Sequence, residues 1–433
     1  MVTSCYFVTR VPLMRPVLLP GLPRVWRGPH TLQLGLHPGR AILLDLPDPR
    51  AAGLLDLLDG TRSEAVFLRQ AAIVGLPAPE AHDLLDSLRR AGLLLAGRHL
   101  LPPALTGPTR RRLTAEATAL ALTALALTAQ GRPTVPIGAP AHEVGAVDGH
   151  RPLSDPQAPG GSGLSDRSGL SPAQILRRRM AAKVVVTGRG RLAAPIAVAL
   201  AESGVGHVEP DLPGPVGEAD LPGSPLQVAD LGLPRRAAVA AAVQRAAPGT
   251  VTRQLRRGSA TLTVQLGYDQ PVALLAAGYA SRRQPHLVVA IRDGTAVVGP
   301  FVPAVGGPCL QCLDLHRRDR DAGWPDLMVQ LAPEAPEPCG VSTLLAATAF
   351  ATAEALAFLD GALPDTVGAA VEITAPGRFR RRSWPAHPAC GCSPRRLVTP
   401  RTGAGSPPNG RPAEAGTTSP HFPSGTIRAY QDG

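Results

Sequence analysis

An α/β architecture is what this sequence predicts, and three stretches carry the prediction. The run VVVTGRGRLA (184–193) delivers a strand into two closely spaced glycines. Across 173–398, strand-like and helix-like runs alternate, the mark of a parallel sheet wrapped by helices. Ahead of them, TLQLGL (31–36) and AILLDL (41–46) precede three short helical segments, the order of a small separate α+β domain. The 433 residues divide accordingly: a first domain at 1–105, a connecting helix at 106–130, a linker at 131–172, the sheet domain at 173–398 and a tail at 399–433.

In the first domain, the two strand runs flank the turn HPGR. Helical segments follow from Pro49 to Leu58, stopped at Asp59-Gly60, and from Ser63 to Ala72, stopped near Gly75. The third begins at Pro79-Glu80, places Leu84, Leu85 and Leu88 on one face, and ends at Gly92. LLLAG (93–97) then reads as a closing strand. Strands, three helices and a strand make a winged helix. Such domains commonly read DNA, but Glu80, Asp83 and Asp86 on the third helix would repel phosphates. Capture of an extended peptide as an added strand is the better fit.

Composition narrows the field. Hydrophobic residues supply 44% and aromatics only 3%, so the cores must be built from Leu, Ala and Val. The net charge is +11, yet Lys183 is the only lysine and the arginines are scattered, which reads as composition bias and argues against nucleic acid. The clusters Arg110–Arg112, Arg177–Arg179 and Arg380–Arg382 read as solvated surface, with an acidic partner or a phosphate as the alternative. Residues 113–129 form an Ala/Leu run that falls short of the roughly 20 residues a membrane span needs. Small residues at 343–358 read as a buried Ala-rich helix. No secretory signal is evident and the six cysteines do not follow a secreted disulfide scaffold, so a reducing cytoplasm and no membrane are expected. The linker, containing APGGSGLSDRSGLS, and the tail, containing TGAGSPPNGRP, read as disordered.

KVVVTGRGRLAAPIAVALAESGVG parses as a strand at 183–187, a turn, and a helix from Arg191 to Ser203 ending at Gly204. Gly188, Gly190 and Ala193 satisfy the G-x-G-x-x-G/A spacing of a Rossmann-type unit. The first glycine permits the turn, the second lets backbone approach pyrophosphate, and Ala193 lets helix pack on strand. A phosphate would sit at the helix N-terminus, where unpaired amides favour negative charge. The same turn is also found without a ligand, so both readings stay open.

Cys309-x-x-Cys312 and Cys390-x-Cys392 are the most specific chemical signal. Two such pairs from distant turns close a tetrahedral thiolate shell around Zn²⁺, and four sulfurs leave no open position for water. The staple is therefore structural. A redox disulfide at CLQC or four free thiols are the alternatives, but CLQC is expected to lack the helix-opening context of redox motifs. His387 reads as a bystander to the cluster. Cys5 and Cys339 have no nearby partner in sequence. Between Cys312 and Trp324, LDLHRRDRDAG reads as a solvent-facing helix with local ion pairs, or as a docking surface.

GRGRLAAPIAVALAESGVGHVEPDLPGPVGEADL resembles the first βαβ unit of the ThiF-type, ubiquitin-activating-enzyme-like superfamily. GPFVPAVGGPCLQCLDLHRRDRDAGWPDLMVQL (299–331) resembles the actinobacterial ThiF-like proteins that accompany YcaO enzymes. Those are the leader-peptide-binding, cyclodehydratase-partner proteins of thiazole/oxazole-modified (TOMM) peptide biosynthesis, a branch of bacteriocin biosynthesis. The resemblance implies a PqqD-like recognition element in the first domain, a C-G-C form for the second cysteine pair, a precursor leader and a YcaO-type enzyme as partners, and a homodimer. It further implies that the superfamily's adenylating members use ATP and Mg²⁺, and that those which form thioesters use a lone cysteine, for which Cys339 is the candidate.

The sequence departs from that pattern at the nucleotide. Leu212 and Gly214 fall where two acids belong, and Asp220-Leu221-Pro222-Gly223-Ser224 replaces an Asn-Leu-x-Arg-Gln run. Asp211 lies one place off, within reach of a ribose hydroxyl. Arg189 and Arg191 sit inside the turn and could compensate phosphate charge, but Arg191 replaces a common glycine and would also obstruct pyrophosphate. Asp269 is the candidate for Mg²⁺. The pocket Gly188, Arg189, Gly190, Arg191 and Asp211 thus reads as eroded. The expected role is a non-catalytic leader-peptide-binding partner that presents a precursor to a YcaO enzyme. The alternative is an active adenylyltransferase that uses Gly188, Gly190 and Asp211 to activate a peptide carboxylate with ATP.

Overall fold

A computed structural model describes residues 15–36, 41–46, 48–130, 170–256, 259–267, 271–325 and 337–392. Cys5, Asp269, linker residues 131–169 and the tail lie outside the described residues.

The first five strands are short. β1 (Pro16–Leu18) is followed by β2 (Arg24–Trp26), β3 (Thr31–Leu34) and β4 (Ile42–Asp45), which form an antiparallel sheet in the order β2-β3-β4. Pro49–Leu57 winds as a 3₁₀ helix capped by the Asp48 carboxylate, which accepts from the Arg50 amide, and α1 (Glu64–Ile73) and α2 (Ala78–Arg90) come next. The expected helices are therefore present, the first in the tighter 3₁₀ form. Leu84, Leu85 and Leu88 of α2 face inward, while Glu80 and Asp83 are exposed. β5 (Leu94–Ala96) pairs back with β1, Pro16 opposite Ala96. α3 (Gly97–Leu100) and the connecting helix α4 (Gly107–Gln130) follow.

The apolar core of this region does not close on itself. It runs from Leu32, Leu34, Phe67, Leu85 and Leu88 into Leu113, Ala117 and Ala121 of α4 and Leu176 of α5 (Pro172–Ala181). Burial of that stripe ties the first segment to the start of the sheet domain, because separating them would return leucine surface to water.

From α5 the chain enters β6 (Lys183–Gly188), α6 (Ala193–Glu202), β7 (His207–Asp211), α7 (Arg235–Ala246), β8 (Leu262–Leu266), α8 (Val272–Ser281), β9 (His286–Arg292), β10 (Thr295–Val302), α9 (Leu310–Arg320), α10 (Val341–Leu359), β11 (Ala369–Ala375) and β12 (Arg378–Ser383). Seven strands make one sheet in the order β12-β11-β10-β9-β8-β6-β7. β7, β6, β8 and β9 are parallel, but β10, β11 and β12 run antiparallel to their neighbours. The expectation of a parallel sheet is corrected here to a mixed one. Its cause is Asp293-Gly294, which turns β9 directly into β10 with φ of 49° and 81°. Two residues at positive φ match the twist of a hairpin and leave no room for a crossover helix. α6, α7 and α10 share the main core on the sheet, while α8 and α9 form a second cluster around Val288 and Val302.

The arginine clusters do not all sit in water. Arg179 is 3% exposed, and its Nε and Nη2 donate to the two Asp360 carboxylate oxygens at 2.8 Å each. Its Nη1 donates to Glu116 of α4 at 2.6 Å and to the Ser203 carbonyl at 3.1 Å. Arg178 reaches the Asp360 carbonyl, and Arg112 caps the carbonyls of Ala201 and Glu202 at the end of α6. Surface solvation therefore describes Arg380 and Arg381 on β12, while Arg179 is a buried tie between α4, α5 and the end of α10. The helix from 312 is likewise not purely solvent-facing: Asp314 is buried, paired with Arg318 and accepting from the Trp324 indole. Among the described residues, α10 is the one helix long and apolar enough to cross a membrane, and it lays Leu344, Ala347, Ala351 and Ala355 into the main core.

Candidate functional site

The glycine turn forms where β6 runs into α6. Gly188 has φ of 97°, and a Cβ there would collide with the Leu266 carbonyl on the neighbouring strand, so only glycine fits. Asp211 ends β7 directly opposite Thr187 in the parallel register and accepts its hydroxyl at 3.1 Å. Gly188, Gly190, the Arg191 amide and Asp211 thus meet at the carboxyl edge of the sheet, the place where open α/β sheets bind ligands.

The amide of the glycine turn just ahead of α6 is met by the chain itself. Glu337 aims its carboxylate at the turn, and the Arg191 amide donates to its Oε2 at 2.8 Å. A Cβ on Gly190 would stand 3.2 Å from both carboxylate oxygens. The Arg191 side chain is spent on the same strap: Nη1 donates to the carbonyls of Glu337 and Cys339 at 3.3 and 3.0 Å, and Nη2 to Pro222 at 3.2 Å. Burial pushes the Glu337 carboxyl above its ordinary range, with the Arg191 amide and guanidinium pulling against it.

Other charges around the turn are also engaged. Arg235, at the start of α7, donates to Asp220 and to the Pro213 carbonyl at 2.8 Å each. Arg189 lies against the Gly214 loop. Leu212, where the resemblance puts an acid, is buried in the main core. Beside them lies a shallow open cleft lined by Gly190, Arg191, Asp220, Leu226 and Arg235. Cys339 belongs to this strap, and burial pushes its thiol upward, away from the thiolate a thioester-forming nucleophile needs.

The four cysteines converge at a second place, beyond β10 and β12. Cys309 caps α9 and Cys312 lies in its first turn, while Cys390 and Cys392 flank Gly391 in the turn after β12. Cys309 Sγ is 3.9 Å from Cys312 Sγ and 3.6 Å from Cys390 Sγ, and Cys312 Sγ is 3.2 Å from Cys392 Sγ. All four sulfurs lie within 4.8 Å of one another. A tetrahedron of sulfurs at the usual Zn–S length has edges of about 3.8 Å, so the donor set fits a structural Zn²⁺. CLQC does open a helix, contrary to the sequence expectation, so helix context does not separate a redox motif from a metal site here. The cross-pairing of CLQC with the CGC turn does.

Thiol electrostatics agree with a shared site. Burial pushes Cys309 up to about 11 and raises Cys392 further. Cys312 meets the same burial penalty, but the His387 amide and the neighbouring thiols pull it below the ordinary thiol value. His387 stands outside the cluster as its brace: its carbonyl accepts from the Cys390 amide at 3.0 Å. Its Nδ1 accepts from the Ala389 amide, so Nε2 carries the proton and donates to Asp319 at 2.7 Å.

The fold brings the two glycines and Asp211 to one edge of the sheet and the four cysteines to a single cluster, but sequence reasoning missed Glu337 and Arg235. Glu337 lies in the proline-rich run APEAPEP, which has no local signature, and its partner is 146 residues away. Arg235 opens a helix after Gly-Leu-Pro, a visible start signal whose direction toward the turn is set only by folding.

No protein-family model and no curated protein sequence matches the chain. Solved structures do match. E. coli MccB with ATP aligns at a TM-score of 0.51 with 13% identity, over 88% of this chain and 100% of that one. The microcin C7 biosynthetic enzyme MccB in complex with N-formylated MccA gives the same score and identity over 87% and 99%. PaaA gives 0.51 and 13% over 84% and 98%. The fold is therefore shared with MccB and PaaA over more of the chain than the seven-stranded sheet.

Proposed function

We propose that the chain is a leader-peptide-binding partner protein in the biosynthesis of thiazole/oxazole-modified peptides, one that holds a precursor for a YcaO-type enzyme and spends no nucleotide itself. The observation that carries this reading is the Glu337 carboxylate on the Arg191 amide, which fills the position a phosphate would need. MccB is crystallised with the peptide MccA, which supports a peptide as the ligand of this fold. The leader would add to β2, an edge strand whose three residues are all exposed. Val25, Gln33 and Leu43 form one cross-strand row on the outer face, with Val25 40% and Leu43 60% exposed, while Trp26 falls in the alternate row with Leu32 and Leu44. Backbone pairing would supply affinity and this apolar row the pockets for alternate leader side chains. The four cysteines would hold Zn²⁺, fastening the start of α9 to the turn after β12.

Full-length protein titrated into a fluorescein-labelled leader segment of a Cys/Ser/Thr-rich precursor peptide should raise anisotropy with a micromolar midpoint. No rise at tens of micromolar removes the reading. The rival, an active adenylyltransferase, is favoured by Asp211 at the edge of the sheet beside Gly188 and by the likeness to MccB with ATP. It requires pyrophosphate exchange that depends on a peptide carboxylate.

A further inference from the structure

The strap from Glu337 to Gly340 does more than pass the glycine turn. Its first residue presents an anion to an amide of the glycine turn, two residues before α6, two of its carbonyls accept from Arg191, and its last residue caps α10. A carboxylate on a turn amide just ahead of a helix carries the charge and acceptor geometry of a phosphate oxygen. Asp220, which neutralises Arg235 at the same cleft, completes the arrangement: both guanidiniums that line the cleft are already committed to internal acceptors.

We propose that Glu337 is a built-in autoinhibitory ligand, an internal competitor that keeps nucleotide polyphosphates off the glycine turn. The backbone cradle for a phosphate survives in Gly188, Gly190 and the Arg191 amide. The eroded acids and arginines are one cause of silence and the plug is a separate one. A polyphosphate enters only with the carboxylate withdrawn, and withdrawal also frees the Arg191 guanidinium from the Glu337 carbonyl. Like charge explains the exclusion, since phosphate oxygens and Glu337 cannot share one amide and one cleft. Exclusion of nucleotide and capture of a peptide are independent, and either can fail without the other.

The test uses the full chain with fluorescent mant-ATP and Mg²⁺. The wild type should show no saturable binding below millimolar nucleotide. Glu337→Ala should bind at least about tenfold more tightly, the combined effect of a new charge-assisted hydrogen bond and the relief of one repulsion. Inorganic pyrophosphate should displace the probe, placing it at the turn. Glu337→Gln, which keeps the shape and an acceptor for the Arg191 amide, should give a smaller gain in the same direction and serves if the alanine variant does not fold. Equal binding in wild type and folded variants, whether tight or absent, overturns the proposal, as does a gain that pyrophosphate leaves untouched.

Discussion

Arg179→Ala offers the sharpest test of how α5 is tied to the end of α10 and, through Glu116, to the connecting helix α4. Arg179 makes two 2.8 Å bonds to Asp360, whose side chain is 1% exposed, and one to Glu116 on α4. Removing the guanidinium leaves a buried carboxylate with its main partner gone, a loss of about 3–5 kcal/mol for pairs of this kind. For a domain of this size that lowers the melting temperature on the order of 10 °C. Glu116 is a third exposed and rehydrates, so most of the loss lies at Asp360. The double change Arg179→Met with Asp360→Leu removes both charges and should recover most of the loss, leaving less than about 2 kcal/mol. Urea unfolding followed by circular dichroism reads both. A single variant within about 1 kcal/mol of wild type, or a double variant no better than the single, would show that the bond is incidental.

Elemental analysis should find one zinc per chain, and Cys312→Ser should lose the metal and much of the stability; a metal-free but fully stable wild type would dismiss the staple. Val25→Ala together with Leu43→Asp should weaken leader binding about tenfold with little change in melting temperature, since both side chains are exposed on the outer row. Unchanged affinity would move the leader away from β2. The raised Glu337 carboxyl gives a pH signature. Its native value lies above its unfolded 4.5, so the stability it contributes is present below 4.5 and is lost as pH rises through the native value. Arg191, Asp220, Arg235 and Cys339 face it, and relative to Glu337→Gln the wild type should gain stability as pH falls from 7 toward 4.5. A flat difference would contradict the buried carboxylate.

Local signals in the sequence were readable. The strand, turn and helix from Lys183 to Gly204 fall where the glycines and the Ala/Leu run put them, because Gly188 and Gly204 sit at positive φ that other residues avoid. The α2 face and the cysteine quartet were legible for the same reason, each being a short-range pattern. The hairpin at Asp293-Gly294 was equally visible as a turn dipeptide, but the alternation of elements outweighed it and produced a parallel sheet on paper. Three-residue strands such as β1 and β5, which meet across some eighty positions, have no periodicity to detect. Arg179 looked like one arginine in a basic run, and only the fold supplies Asp360 to bury it. Glu337 is the clearest case: nothing around it in sequence marks an acid whose role is to meet an amide on the far side of the domain.

A glycine turn occupied by its own chain's carboxylate should turn over no nucleotide. The decisive experiment is exchange of labelled pyrophosphate into ATP, run on full-length wild-type protein with Mg²⁺ and with the leader-bearing peptide present. Exchange should stay at the protein-free background. A rate that needs the peptide's carboxylate and saturates with ATP would mean that the turn holds a productive nucleotide after all.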